Sequence, residues 1–229
     1  YYGSKSSLSI LTSGKQTIII YIIAFTEVKI MEVIEISYKS TNCYLIRTNG
    51  GWLMIDAGWP DTFSQILRLL NQNSISVNEI DYLIVTHFHP DHAGLTQNLK
   101  DLGTNLIVHE RQLPFINKIN QHFKKHPKEN FKDITGSNMI VTTETDSRSL
   151  LKSIGIDGQL LVTPGHSEDS ISLVIDDCCA FIGDLPAPDT IDAYDDQDIR
   201  QSWKQLGSFN IKTIYPGHGE PYTFELLNI

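Results

Sequence analysis

The sequence predicts an α+β fold in which two sheets pack on each other and helices cover their outer faces. Three observations predict it. Short apolar runs with strand character fall into two groups, from residue 32 to 108 and from residue 160 to 215. Each group has the same layout of several strands, then a helix, then a strand, with no repeat of sequence. The helical stretches flank the strand groups, as they do when helices cover packed sheets.

From Met31 the order is strand, strand, strand, helix, strand. Residues 32–37, 42–48 and 52–55 read as strands. Lys39-Ser40-Thr41 separates the first two, and Asn49-Gly50-Gly51 separates the next two, its Asn-Gly pair being a hairpin signal. Residues 62–71 read as an amphipathic helix, because Phe63, Ile66, Leu67 and Leu70 fall at i, i+3, i+4 and i+7. Residues 82–85 form a short buried strand. A helix over 95–102 and a strand over 106–108 follow. In the second group, 160–163, 170–175 and 179–182 read as strands. Residues 196–209 read as a helix with Ile199, Trp203 and Leu206 on one face, and 213–215 as a last short strand.

Two segments stand apart. Residues 110–155 break the alternation and carry Phe115, Phe123, Phe131, His122, His126 and many lysines, so an insertion of helices and loops is expected there. No linker divides the chain, and residues 31–229 are expected to form one domain around that insertion. Residues 1–30 begin without Met and hold one apolar run, 17–25. That run is too short to span a bilayer, and no small-residue cleavage site follows it. The first Met, Met31, directly precedes a strand pattern, so 1–30 is expected to be a leader or non-native extension outside the core.

Composition narrows the function. The chain has 229 residues, 41% hydrophobic and 20% charged, an ordinary globular balance. A chain of this length can bury a core without disulfides or structural metal, so a metal cluster would be chemical in purpose. The net charge of -9 argues against a nucleic-acid partner and favours holding divalent cations. No membrane partner is expected. Cys43, Cys178 and Cys179 are odd in number and include an adjacent pair, which fits buried thiols in a reducing cytoplasm.

The chemistry is concentrated in T-H-F-H-P-D-H, residues 86–92, at the end of the strand 82–85. His87 and His89, two apart on an extended segment, would point to one side and grip one ion. Pro90 then turns the chain, so Asp91 and His92 would face a second position. Two ions roughly 3.5–4 Å apart form a water-activating arrangement. One turn cannot fill two ligand shells, and further ligand types do follow other strands. They are His166 in T-P-G-H-S, Asp184 in F-I-G-D and His218 in Y-P-G-H-G, each beside a glycine.

This set, His87, His89, Asp91, His92, His166, Asp184 and His218, resembles the metallo-β-lactamase fold superfamily. The stretch L-M-I-D-A-G, residues 53–58, resembles that family's first motif, with Asp56 as its acidic residue. The motifs run in the family's order across most of residues 31–221. The resemblance implies an αββα four-layer sandwich, two mixed sheets face to face with helices outside. It also implies a dinuclear centre at one edge of the sheets, usually zinc, with iron or manganese as other occupants. Position by position, His87, His89 and His166 would hold one ion, Asp91, His92 and His218 the other, and Asp184 would bridge them. A hydroxide shared between the ions would be the nucleophile. Asp91 would also handle the proton of the leaving group, and Asp56 would orient a ligand histidine by hydrogen bond. His109 reads as structural or supporting, and His122 and His126 as a solvated helix face.

Departures from subfamily patterns narrow the reading further. True β-lactamases of the family usually carry Cys or Ser where this chain has Asp184. Its acyl-homoserine lactonases place a Tyr three residues after that Asp, where this chain has Ala187. The flavodiiron members carry Glu at the position of His89. The RNA-processing members need a basic substrate surface. What remains is a dinuclear zinc hydrolase that cleaves an ester, thioester, lactone or amide of a small molecule. The alternative is a non-haem iron oxidoreductase of the persulfide dioxygenase type, with one iron on the first-site residues. A non-catalytic metal-binding or regulatory protein is a third reading. Residues 110–155 are expected over the metals, with their Phe residues as an apolar wall. The substrate and the oligomeric state are not legible.

Overall fold

The computed structural model describes residues 7–13, 16–23, 27–190 and 195–224. Strands that are covered on both faces read as near-continuous apolar runs, and the central strands here have that character. The first sheet contains β1 Ser7–Ser13, β2 Gln16–Ile23, β3 Glu27–Tyr38, β4 Thr41–Arg47, β5 Trp52–Ile55, β6 Ile80–Ile84, β7 Asn105–His109 and β8 Met139–Thr142, in that spatial order. Pairing is antiparallel from β1 to β5 and parallel from β5 to β8. The second sheet contains β9 Gly158–Val162, β10 Ile171–Ile175, β11 Cys179–Gly183, β12 Thr213–Pro216 and β13 Tyr222–Thr223, also in chain order. Only β11 and β12 run parallel in it.

The period-2 alternation of side chains sorts each strand between two cores. On β4, Cys43 and Leu45 face the helices while Tyr44 and Ile46 face the second sheet. On β5, Trp52 and Met54 face outward, and Leu53 and Ile55 inward. On β11, Cys179 and Phe181 lie between the sheets, and Ala180 and Ile182 on the far side. Tyr44, Phe181 and Tyr215 fill the space between the sheets, with ring centroids 4.7–5.2 Å apart.

The helices are α1 Phe63–Gln72, α2 Pro90–Ala93, α3 Thr96–Lys100, α4 Leu113–Lys125, α5 Glu144–Ser153 and α6 Gln197–Leu206. Ile66 and Leu70 of α1, Leu99 of α3, and Ile116, Ile119 and Phe123 of α4 cover the outer face of the first sheet. Ile199, Trp203 and Leu206 of α6 cover the second. The layering is helix, sheet, sheet, helix.

The structure departs from the sequence reading in several places. The helix expected over 95–102 shortens to α3, and the one over 196–209 to α6. Residues 110–155 hold α4 and α5 but also β8, which extends the parallel half of the first sheet beside β7. Residues 7–13 and 16–23, from the stretch expected to lie outside the core, supply β1 and β2 at the edge beyond β3. Residues 1–6, 14–15 and 24–26 of that stretch lie outside the described residues. Among the described side chains, the buried core begins at Met31. No helix among the described residues is long and apolar enough to cross a membrane.

Candidate metal centre

Four segments bring ligand-bearing side chains to one place: the loop and α2 after β6, the loop between β9 and β10, the end of β11, and the loop after β12. Their seven residues fall into two groups whose ligand atoms lie within 4.8 Å of one another. One group is His87, His89 and His166; the other is Asp91, His92, Asp184 and His218.

The arrangement after β6 differs in kind from the sequence expectation. His87 and His89 do not continue an extended strand, since β6 ends at Ile84 and residues 86–87 are bends. Side-chain partners hold the loop instead. The buried Gln112 amide donates to the carbonyls of Val85, Thr86 and Asp169. The Phe88 N–H donates to the buried carboxylate of Asp169 at 2.7 Å. The two rings still meet, with centroids 4.5 Å apart. Pro90 then opens the helical turn α2, its missing N–H falling where a helix has no internal acceptor for it. Asp91 and His92 ride on that turn and face the second group.

Asp184 stands between the groups. Its Oδ2 lies 3.8 Å from His87 Nε2, 3.5 Å from His166 Nε2 and 3.2 Å from His218 Nε2, and its Oδ1 lies 3.2 Å from His92 Nε2. Asp91 Oδ2 lies 3.2 Å from His218 Nε2 and 3.4 Å from His92 Nε2. Gly217 permits this closeness, because a Cβ there would stand 2.4 Å from Asp184 Oδ1 and 2.7 Å from His92 Cε1.

Supporting hydrogen bonds set the imidazole tautomers. His92 Nδ1 lies 2.8 Å from Asp56 Oδ2 and His218 Nδ1 lies 2.6 Å from the Ser40 carbonyl. Both partners only accept, so each Nδ1 carries a proton, and Nε2 is the atom left to turn a lone pair to the cluster when it is unprotonated. Asp56 is nearly fully buried, in a left-handed conformation at φ 61°, and also accepts from the Thr86 N–H at 2.7 Å and from the Thr86 hydroxyl. With that hydroxyl proton so placed, Thr86 Oγ1 can accept from His87 Nδ1 at 3.2 Å, which frees His87 Nε2. The Asn42 amide clasps the His218 loop by donating to the carbonyls of Pro216 and Gly219. The Tyr44 hydroxyl donates to Pro216 as well.

The residues fit a bound cation. His87 Nε2, His92 Nε2 and Asp184 Oδ1 are buried and make no hydrogen bond, a costly state for polar atoms without a further partner. His166 Nε2 and His89 Nδ1 lie 3.0 Å apart, a distance two imidazole nitrogens hold with a proton or a cation between them. Electrostatics divides the groups. Burial, then the neighbouring imidazoles, push His87 well below the usual histidine range, so it stays neutral. Burial likewise lowers His166. At His92, burial opposes the charge, but Asp56, Asp184 and Asp91 outweigh it and hold the ring up to about 12. Burial opposes ionisation of Asp91 too, yet His92 and His218 bring it down to about 2. Asp184 is lowered in the same way. Three carboxylates around one imidazole demand a positive charge, which a proton or a metal ion can supply.

The remaining histidines stay outside the groups. His109 is buried, and its Nδ1 accepts from the Arg111 N–H at 3.2 Å. His122 and His126 pack ring to ring near the end of α4. Of the three Phe residues expected over the metals, Phe123 and Phe131 stack on each other at 4.2 Å, and Phe115 lines a pocket beside His89. A second pocket of about 420 Å³ opens on the other side, lined by Asp184, His218, Ala187 and Tyr222. Gln112, Asp169 and Asn42 were missed in the sequence reading. Thr86 lies inside the ligand motif and Asp169 three residues after His166, and that proximity was the available signal.

Comparison with known proteins gives one family. Residues 38–218 match the profile of the Metallo-beta-lactamase superfamily. The chain is 27% identical over 186 residues to a "Beta-lactamase-like protein 2 homolog" of Caenorhabditis elegans, covering 79% of this chain and 56% of that protein. It is 28% identical over 209 residues to "Probable metallo-hydrolase YqjP" of Bacillus subtilis, covering 74% of this chain and 64% of that protein. The chain thus spans between half and two thirds of these relatives. Among solved structures, a metallo-beta-lactamase family protein of Thermus thermophilus superposes with a TM-score of 0.65 at 17% identity, covering 83% of this chain and 74% of that one.

Proposed function

The chain belongs to the metallo-beta-lactamase superfamily, and from that premise we propose that it is a dinuclear zinc hydrolase cleaving an ester, thioester, lactone or amide of a small molecule. The observation that carries the reading is the pairing of two ligand groups across Asp184. Three imidazoles, His87, His89 and His166, suit one ion. Asp91, His92 and His218 suit the second, with Asp184 shared. When bound, the ions supply an acidified water as nucleophile and polarise the scissile carbonyl.

The chain's own groups do the rest. Asp56 holds His92 in the tautomer that presents Nε2, and the Ser40 carbonyl does the same for His218. Thr86, Gln112 and Asp169 fix the loop that carries His87 and His89. Asp91, whose Oδ2 lies 3.2 Å from His218 Nε2 and 3.4 Å from His92 Nε2, would take a proton and pass it to the leaving group. Both flanking pockets border the ligand groups, so the two halves of a cleaved bond have separate places to sit. Cys43, Cys178 and Cys179 are buried free thiols, which supports a cytoplasmic setting.

The test is hydrolysis of a panel of esters, thioesters and lactones by the metal-loaded protein and by Asp184→Ala. We expect the variant to lose at least the roughly 100-fold that marks the upper range for removing a ligand's supporting partner. Full activity in Asp184→Ala on a substrate the wild type cleaves would refute the reading.

A further inference from the structure

The pocket beside His89 has an uneven chemistry. It measures about 410 Å³ and joins an apolar floor of Phe88, Pro90, Phe115 and Ile119 to the ammonium of Lys118. His89 itself forms one wall, so the pocket opens directly on the first ligand group. Lys118 lies along Phe115, with Nζ 3.8 Å from the ring centroid. This contact orients the cation over an aromatic surface without consuming its hydrogen-bond donors.

The charge around Lys118 runs against that of the whole chain. Arg111, Lys118, Lys124, Lys125, Lys128 and Lys132 are six of the 18 Lys and Arg, and Glu129 is the only acid between positions 111 and 132 in a chain of net charge -9. Lys132 and Lys124 are engaged by Asp101 at 2.7 Å and by Asp133 at 3.3 Å. Lys118 has the loosest pair, 3.8 Å from Glu168, whose side chain is 80% exposed. The other nearby carboxylate, Asp169, is buried and committed to the Phe88 N–H. A ligand anion therefore competes with a solvent-exposed glutamate.

Resting on the hydrolase reading above, we propose that this pocket takes an apolar arm ending in an anionic group, a carboxylate in the simplest case, and that Lys118 sets the preference. The arm lies on Phe115 and Ile119, its anion meets Lys118, and its other end reaches the ligand groups at His89. The substrate class is accordingly an acyl compound with a distal negative charge.

Two measurements test this on metal-loaded protein. The first compares hydrolysis of a succinyl and a butyryl thioester of the same thiol, which differ in the distal carboxylate. Wild type should prefer the succinyl compound, mainly through KM. Lys118→Gln should cut that preference about five-fold, the size of a well-placed, partly exposed ion pair. Lys118→Arg should retain it, Glu168→Gln should raise it, and butyryl turnover should stay constant throughout. The second measurement needs no turnover: ligand-observed NMR titration of 4-phenylbutyrate against 4-phenylbutanamide. Carboxylate selectivity that falls in Lys118→Gln and persists in Lys118→Arg supports the pocket even if neither thioester is cleaved, in which case only the hydrolase reading fails. Equal binding of acid and amide, no binding of either, or selectivity unchanged in Lys118→Gln would overturn the proposal.

Discussion

Replacing Asp56 by Ala separates two roles of one buried carboxylate. Asp56 accepts from the Thr86 N–H at 2.7 Å, from the Thr86 hydroxyl, and from His92 Nδ1 at 2.8 Å. Removing it does not strand all three donors. The Thr86 oxygen still accepts from His87 Nδ1 at 3.2 Å, so His87 keeps the tautomer that frees Nε2, but the Thr86 hydroxyl proton loses its acceptor. His92 can give up the proton on Nδ1 and keep the one on Nε2, where Asp184 Oδ1 and Asp91 Oδ2 lie at 3.2 and 3.4 Å. The Thr86 N–H and hydroxyl are left without an acceptor, and at about 1–3 kcal/mol for each buried unsatisfied donor the cost is about 2–6 kcal/mol in all. The stability loss of the metal-free variant should fall in that range. The rest of the loss appears in metal affinity, because without Asp56 nothing holds the remaining proton of a neutral His92 on Nδ1, and on Nε2 it occupies the lone pair meant for the ion. Loss of such a supporting partner typically weakens binding about 10–100-fold. The weakening should fall mainly on the second group, since Asp56 accepts directly from His92 and reaches His87 only through the Thr86 hydroxyl. Chelator-competition titration that resolves two binding steps, with urea unfolding of the metal-free protein, reads both quantities. Equal weakening of both steps, or unchanged affinity with a large stability loss, would refute this division of roles.

Three further outcomes follow from the geometry. Gly217→Ala would drive a Cβ to 2.4 Å from Asp184 Oδ1; we expect a destabilisation of about 1–3 kcal/mol with loss of hydrolysis, measured by thermal melts and turnover, whereas wild-type activity would contradict the close approach. Asp169→Ala strands the buried Phe88 N–H, so unfolding should cost about 1–3 kcal/mol less and the first binding step should weaken while the second holds. His92 is held up to about 12 by three carboxylates, so binding an ion there must expel its proton. Affinity of the second step should rise about tenfold per pH unit from pH 7 to 9, and calorimetry in buffers of different ionisation enthalpy should find close to one proton released. Without metal the sign reverses. A raised histidine pKa contributes stability that is complete below the unfolded value near 6.5 and is lost as pH rises towards about 12, so the metal-free melting temperature should fall over that window. The depressed Asp91 contributes above the usual carboxylate range, and that share disappears as pH falls through about 2.

Much of this was legible in the sequence because the central strands are covered on both sides. Runs such as 52–55 and 179–182 are apolar throughout, and the structure puts alternate residues into different cores. β8 was not legible for the opposite reason. It is a short edge strand with no fully covered face, Val141 is 51% exposed, and a preceding Gly-Ser-Asn reads as loop. The ligand residues stood out because His and Asp directly after apolar runs are rare without a task. Their supports did not, because they act across the chain. Ser40 holds His218 from 178 positions away, Asn42 reaches Gly219 across 177, and Phe88 meets Asp169 across 81. Such pairs exist only once the sheets have packed. The extended backbone expected for His87 and His89 is found at His89 but not at His87, where the loop bends on Gln112 and Asp169, partners that no local propensity encodes.

The most direct measurement is elemental analysis of the protein purified without added metal or chelator. The proposed dinuclear zinc reading of the two His/Asp groups predicts about two zinc ions per chain, falling to about one when His92 and His218 are both replaced by Ala. About one iron per chain in the wild type, unchanged by that double replacement, would contradict the dinuclear account.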